Sequence, residues 1–330
     1  MGFEFKKAPQ PGLVSIIIPC YNARRFLVEA LESAFAQSYP YTEIIVVDDG
    51  SSDGTAELIH AYADRVRAEF GPNRGASAAR NRGTALACGE FIQYLDADDL
   101  LPPDAVARRV AALQETGSDV AYSDWEKLFE TQPGIFEVCE HFARRIEDVH
   151  PVLEIALMSN FWAPPAALTF RHTIVEKIGG WKEWLPILED TRFLQDAALV
   201  GGKFVCVPGV GARYRVHRDA SLSRGDHVAF VSALFRNTCD LQAIFEARGR
   251  MSADERHALT KSYGRAARSF FVYDRRPLFH ECVARIYNVE PGFRPSWPKV
   301  ASLLSKMFGF KAASMLLPVL SRLQRAVRQR

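Results

Sequence analysis

Val14-Ser15-Ile16-Ile17-Ile18-Pro19 is a short run of mostly β-branched residues closed by a proline. It is too short for a helix and lacks a polar face, so it reads as a strand buried on both sides. Residues 25–37 then place Phe26, Leu27, Ala30, Leu31, Ala34 and Phe35 at helical spacing. A second buried run, Glu43–Val47, leads straight into Asp48-Asp49-Gly50-Ser51. Asp53-Gly54-Thr55 caps a helix that reaches about Tyr62. Arg65–Phe70 reads as a third strand and Ala76–Ala87 as an alanine-rich helix. Phe91–Leu95 is a fourth strand, and it ends at Asp96-Ala97-Asp98-Asp99. Alternating strands and helices imply parallel pairing through right-handed crossovers. The expected fold is therefore α/β: a Rossmann-like, mostly parallel sheet with helices on both faces.

Ligands of such sheets bind outside the carboxyl ends of the strands. The polar residues that stand out here fall at those ends: Pro19-Cys20-Tyr21-Asn22, Asp48-Asp49 and Asp96–Asp99. Two or three carboxylates converging in a turn suit a hard divalent cation, which in turn suits an anionic diphosphate. Acidic residues also cap helices, and one is expected to begin near Pro102-Pro103-Asp104, so the cluster alone leaves both readings open.

Composition narrows the class. With 330 residues, 48% hydrophobic and 24% charged, the chain has ordinary globular content. A net charge of +2 makes no general case for nucleic-acid binding. The six cysteines are scattered with no Cys-x-x-Cys pair, which fits reduced, mostly buried thiols of a cytoplasmic protein. Residues 1–11 have no apolar core of signal-peptide type, and no apolar stretch reaches the roughly 18 residues of a spanning helix.

Residues 120–215 read as less regular. They hold Phe161-Trp162-Ala163-Pro164-Pro165, a short strand at Ala167–Phe170, a helix from Ile174, and a helix running from Glu189-Asp190 to Leu199. Gly201-Gly202 stops that helix before a strand at Lys203–Val207. From about Phe230 the pattern is helical. After Glu290 no acidic residue follows, while Arg294, Lys299, Lys306, Lys311, Arg322, Arg325, Arg328 and Arg330 are basic. Leu303, Leu304, Met307 and Phe308 form one apolar face of that tail. A basic amphipathic helix can lie on an anionic bilayer, or pack on the domain with its charges solvated.

The quoted segments together resemble the donor half of family 2 glycosyltransferases. The likeness runs from Val14-Ser15-Ile16-Ile17-Ile18-Pro19-Cys20-Tyr21-Asn22 and Glu43–Thr55 through Asn73-Arg74-Gly75, Ala79-Arg80-Asn81 and Gly89-Glu90-Phe91 to Asp96–Asp99. It implies a GT-A fold and inverting transfer of a sugar from a nucleotide donor, with UDP as the nucleotide. It also implies that Pro19, Tyr21 and Asp49 line the base pocket, Asp49 accepting from a uracil-like imide, and that Arg74 approaches the base or diphosphate. Asp96 then lies near ribose and metal, Asp98 is the principal ligand of a Mn²⁺ or Mg²⁺ ion, and His217 is a third ligand or a contact to the diphosphate. Arg215 or Arg218 neutralises phosphate, in a segment continuing to Ser221 and Ser223.

Inversion by direct displacement needs a base on the acceptor hydroxyl. The family's acidic pair at a helix start matches Leu188-Glu189-Asp190-Thr191, which makes Asp190 the base and Glu189 its orienting or acceptor-binding neighbour. An acidic pair in a first helical turn is also favoured by the helix dipole. Asp196 is the fallback base, or else part of a solvated helix face. One of Trp162, Trp181 and Trp184 is expected to stack on a sugar, the others packing in the core.

The acceptor class implied is a glycan or lipid-linked saccharide of cell-surface polysaccharide synthesis, met at the inner face of the membrane through residues 297–330. The expected organisation is a tail at 1–12, a donor half at 13–120, an acceptor-binding and catalytic half at 121–228, and a helical region at 229–330. A nicotinamide-dependent oxidoreductase would want Gly-x-Gly-x-x-Gly after the first strand, and a sugar nucleotidyltransferase a glycine-rich basic loop; neither is present. A non-catalytic sugar-nucleotide-binding relative would lack Asp98 or Asp190, and the chain has both.

Overall fold

The computed structural model describes residues 4–159, 161–217 and 226–293. The chain forms two compact units, Met1–Ser221 and Leu222–Arg330. The first unit runs β1 (Gln10–Cys20), α1 (Leu27–Phe35), β2 (Thr42–Asp48), α2 (Thr55–His60), β3 (Arg67–Phe70), α3 (Ala76–Leu86), β4 (Gly89–Tyr94) and α4 (Ala105–Thr116). It continues with β5 (Val120–Gln132), β6 (Ile135–Phe142), α5 (Leu153–Ser159), β7 (Leu168–Arg171), α6 (His172–Ile178), α7 (Glu189–Leu199) and β8 (Phe204–Val216).

The first four strands pair in parallel in the order β3-β2-β1-β4. Val14, Ile16, Ile17 and Ile18 are fully buried at the centre of that half, as a run without alternation requires. β7 joins antiparallel to β4 and hands the sheet on to β5. β7 and then β6 occupy one edge of β5, while β8 runs parallel along the other. The whole sheet is therefore mixed, with its all-parallel part confined to the N-terminal half.

Residues 120–142, read as irregular from the sequence, are a long antiparallel hairpin turning at Pro133-Gly134. β8 likewise does not stop at Val207 but continues to Val216. Its pairing with β5 slips between Ser123 and Asp124, which bulges out Pro208 and Gly209. Asp124 Oδ2 accepts from Gly209 N at 2.7 Å and closes the bulge.

Arg109 of α4 fixes the join between the two halves. Its buried guanidinium donates to Gln93 Oε1 on β4 (2.8 Å), Thr169 Oγ1 on β7 (2.9 Å), Ser123 Oγ on β5 (3.0 Å) and the Gly211 carbonyl on β8 (3.0 Å). Burial, with Arg108 beside it, pushes its pKa down to about 9. These neutral acceptors lock four strands in register beneath the acidic turn.

The second unit has α8 (His227–Ala247), α9 (Ala253–Val272) and α10 (Arg276–Val289), with α9 packed on both others. Asp226 caps α8 by accepting from Val228 N and Ala229 N, and Ser252 with Glu255 forms a capping box on α9. Phe235, Phe245, Leu259, Tyr263, Phe270, Cys282 and Ile286 fill its interior. No helix among the described residues is long and apolar enough to cross a membrane. Arg218, Ser221, Ser223 and the basic tail 297–330 lie outside the described residues.

Candidate active site

The ends of β1 and β2 are stitched together. Asn22, in the left-handed region at φ 49°, donates its N–H to Ser51 Oγ and accepts from Ser52 N, both at 2.9 Å. Gly50 adopts φ 81°, and a Cβ there would lie 2.8 Å from Asn73 N, so the strand end and the 73–75 loop touch backbone to backbone. Asp49 sits beneath that loop. Its Oδ2 accepts from Arg74 N at 3.0 Å and Gly75 N at 2.7 Å, and its Oδ1 pairs with Arg82 at 2.7 Å. Pro19 is buried, Tyr21 is 52% exposed, and the exposed Arg74 guanidinium pairs with Glu183 at 2.9 Å.

The acidic turn after β4 is divided in its contacts. Asp98 is 43% exposed, and its Oδ2 accepts from His217 Nε2 at 2.8 Å. The buried His217 Nδ1 has no hydrogen-bond partner, and the ring stacks on Phe26 at 4.2 Å. Asp99 is fully buried; its Oδ1 accepts from Arg215 N at 2.9 Å and its Oδ2 has no partner. Burial, then Asp98 and Asp96, pushes the Asp99 carboxyl well above the usual range. Asp96 turns the other way, to Arg80 Nη2 at 2.6 Å, and burial raises its carboxyl too.

The structure thus brings Asp98 and His217 together and leaves Asp96 apart, because the Arg80 guanidinium draws it aside. Among the described residues no cluster of three or more His, Cys, Asp or Glu side chains is assembled for a metal. One half-exposed carboxylate facing the Nε2 of an imidazole still suits a hard or borderline divalent cation in place of the shared proton. Arg215 does not face the site surface. Its guanidinium is buried between Phe26 and Phe136 and donates to Glu29 at 2.6 Å and to the Asp98 carbonyl. It shapes the acidic turn from behind.

The α7 helix starts at Leu188, held at φ 68°, a conformation rare for a residue with a side chain. Glu189 and Asp190 then fill the first turn. Asp190 Oδ2 accepts from Trp162 Nε1 at 2.6 Å, and its Oδ1 accepts from Thr191 N at 2.6 Å. Glu189 Oε1 accepts from Arg80 Nη1 at 3.1 Å. Burial, with Asp190 next to it, lifts the Glu189 carboxyl to about 7 against the opposing Arg80 charge. Tyr214 lies beside both groups: its ring packs edge-on against Trp162 at 5.4 Å, its neighbour Arg215 donates its N–H to Asp99, and burial raises its phenol, with Asp99, Asp98, Asp96 and Asp190 adding to the rise.

Asp196 is not on a solvated face. It is buried against Arg192 at 2.8 Å and Lys182 at 3.5 Å, further along α7. Trp181 is core, stacked on Phe193 at 4.1 Å, and Trp184 faces Arg192. Trp162, half-buried and bonded to Asp190, is the tryptophan at the site. Arg80 had no place in the sequence-derived site. Its only signal was its position in Ala79-Arg80-Asn81, inside an alanine-rich helix where a charge ordinarily faces solvent.

Residues 15–137 match the model of glycosyl transferase family 2. An uncharacterized glycosyltransferase of Nostoc is 28% identical over 71% of this chain and 72% of its own length. The succinoglycan biosynthesis protein ExoO of Rhizobium meliloti is 30% identical over 64% of this chain and 62% of its own. The glycosyltransferase GlyG of Streptococcus pneumoniae is 34% identical over 38% of this chain, and the alignment spans 42% of GlyG. Among solved structures, S. aureus TarS in complex with UDP-GlcNAc superposes with a TM-score of 0.67 at 16% identity, covering 92% of this chain and 91% of that one. The mannosyltransferase PcManGT of Pyrobaculum calidifontis, with GDP-Man and Mn²⁺, gives 0.53 at 20% identity over 97% and 90%. These likenesses show the GT-A fold, and residues 15–137 are similar to glycosyl transferase family 2.

Proposed function

We propose that this glycosyltransferase moves a sugar with inversion from UDP to a hydroxyl of a glycan or lipid-linked saccharide, in cell-surface polysaccharide synthesis. The observation that carries the reading is that Arg80 ties the acidic turn, where Asp98 pairs with His217, to the Glu189–Asp190 pair, where Asp190 pairs with Trp162. One group suits the donor diphosphate and the other a proton acceptor.

Asp98 and His217 would hold a divalent cation, with Asp96, held by Arg80, on the ribose side of it. Such an ion supplies charge neutralisation for the leaving diphosphate. Pro19 and Tyr21 flank the base. Asp49 Oδ1 keeps a lone pair beside its Arg82 contact, and a uracil imide N–H is the donor proposed for it. Arg74 lies on the loop that Asp49 holds, within reach of base or diphosphate.

On the acceptor side, Trp162 and the Thr191 amide fix the rotamer of Asp190, leaving an oxygen lone pair free for the acceptor hydroxyl. Asp190 takes that proton as the acceptor oxygen bonds to the anomeric carbon. The anomeric carbon–diphosphate bond breaks in the same step and UDP departs with the electron pair. Configuration inverts because attack and departure occupy opposite faces. Glu189, one residue away, orients Asp190 or meets the acceptor. The relative named for succinoglycan biosynthesis supports the acceptor class.

The reading is tested by UDP release from a panel of UDP-sugars with Mn²⁺. Asp190→Asn is expected to lower turnover by about 10²–10⁴-fold while UDP still binds. Asp98→Ala is expected to remove the metal dependence together with the activity. Asp190→Asn turnover within about tenfold of wild type would exclude Asp190 as the base.

A further inference from the structure

Arg80 touches both acidic groups of the site, Asp96 after β4 and Glu189 at the start of α7. We infer that Arg80 is a positioning residue which sets the Glu189–Asp190 pair against the donor-side carboxylates. The inference rests on the proposed function, and names how its two halves are held in register.

The two halves come from distant stretches of chain, since Arg80 and Glu189 are 109 residues apart. Residues 179–188, which lead into α7, contain no regular helix or strand and end in the left-handed Leu188. Their own backbone closes a turn, Leu185 N to the Lys182 carbonyl at 2.9 Å, which alone does not fix where α7 begins. The α3 helix and its preceding loop supply that constraint. Asn81 clamps the backbone of Trp181 from both sides, accepting from its N–H at 2.8 Å and donating to its carbonyl at 3.0 Å. Asn81 Nδ2 and Arg74 Nη2 both reach Glu183.

Arg80 then acts at the end of the segment. Its side chain is 3% exposed, and its guanidinium lies 4.4 Å over the Trp181 ring. Trp181 in turn stacks on Phe193 of α7. Arg80 therefore meets α7 twice, through the Glu189 ion pair and through Trp181. Its planar fork directs one nitrogen to each carboxylate, which a lysine ammonium cannot reproduce at two separated acceptors while also stacking on the indole. The buried cation also offsets the repulsion between Asp96, Glu189 and Asp190, which would otherwise spread the site.

The test compares Arg80→Lys, Glu189→Gln and their double variant with Asn81→Ala, using whichever UDP-sugar the wild type turns over in the presence of Mn²⁺. Asn81→Ala loosens the same segment without touching either carboxylate, so it reports a merely structural contribution. Arg80→Lys is expected to lower kcat by about 10²-fold, the order that a misplacement near 1 Å brings. UDP affinity is expected to stay within about threefold, a change under 1 kcal/mol. The double variant is expected to be no slower than the slower single variant, since Glu189→Gln removes the charge and Arg80→Lys the planar fork of the same ion pair. Additive losses, or equal losses in Arg80→Lys and Asn81→Ala, would overturn the positioning role while leaving the glycosyl-transfer reading intact. A wild-type chain with neither UDP binding nor turnover would overturn that reading, and the positioning role with it.

Discussion

Glu189 is one of three carboxyls of the site, with Asp96 and Asp99, that burial pushes up. Its carboxyl is lifted from an ordinary value of 4.5 to about 7 by burial and by Asp190. A carboxyl raised in the folded chain holds its proton more tightly there than when unfolded. The fold therefore gains from it fully below pH 4.5 and loses that gain as pH rises through about 7. Glu189→Gln is neutral throughout, and its amide oxygen can still accept from Arg80. Its melting temperature relative to wild type should accordingly be more favourable at pH 8 than at pH 5; a difference that does not move with pH would contradict the assignment. The resemblance pointed to Asp98, His217 and Asp190; in the structure Asp98 pairs with His217, and Asp190 with Trp162, whose ring packs edge-on against Tyr214. Arg80 escaped notice because a lone arginine among alanines carries no sign of burial; only the fold places Asp96 and Glu189 on its two sides.

Elements that bury both faces were legible because their residues repeat one requirement. β1, β2 and β4 are apolar runs, and a sheet covered on both faces hides Ile16, Ile45 and Ile92 completely. The β5–β6 hairpin was not legible. Its first strand alternates burial with partial exposure, carries Asp124, Glu126 and Lys127, and changes partners from β7 to β6 along one edge. β8 was cut short at Val207 because Pro208-Gly209 reads as a stop, whereas the Asp124 contact turns it into a bulge. Turn geometry makes an equally local claim at Gly50. Alanine there must take φ 81° and press on Asn73 N, so Gly50→Ala should destabilise the fold by about 1–3 kcal/mol. The same substitution should weaken UDP binding, because the 73–75 loop moves. Urea denaturation and calorimetric titration with UDP would read the two effects, and an unchanged midpoint would refute the turn argument.

At the scale of the whole molecule, the first unit holds every described residue of the candidate site, and the second is helical. Membrane contact is proposed for the basic residues of 297–330 on charge and apolar patterning alone. Removing 297–330 should abolish co-sedimentation with vesicles containing phosphatidylserine and leave UDP binding unchanged; undiminished sedimentation would exclude the tail as the anchor. The central claim is that the chain binds a uridine diphosphate through a divalent cation at Asp98. Calorimetric titration of the full chain with UDP, with and without Mn²⁺, tests it most directly. Binding that requires Mn²⁺, is lost in Asp98→Ala, and is not reproduced by GDP or ADP is the expected result. Equal affinity without the metal, or unchanged affinity in Asp98→Ala, would contradict it.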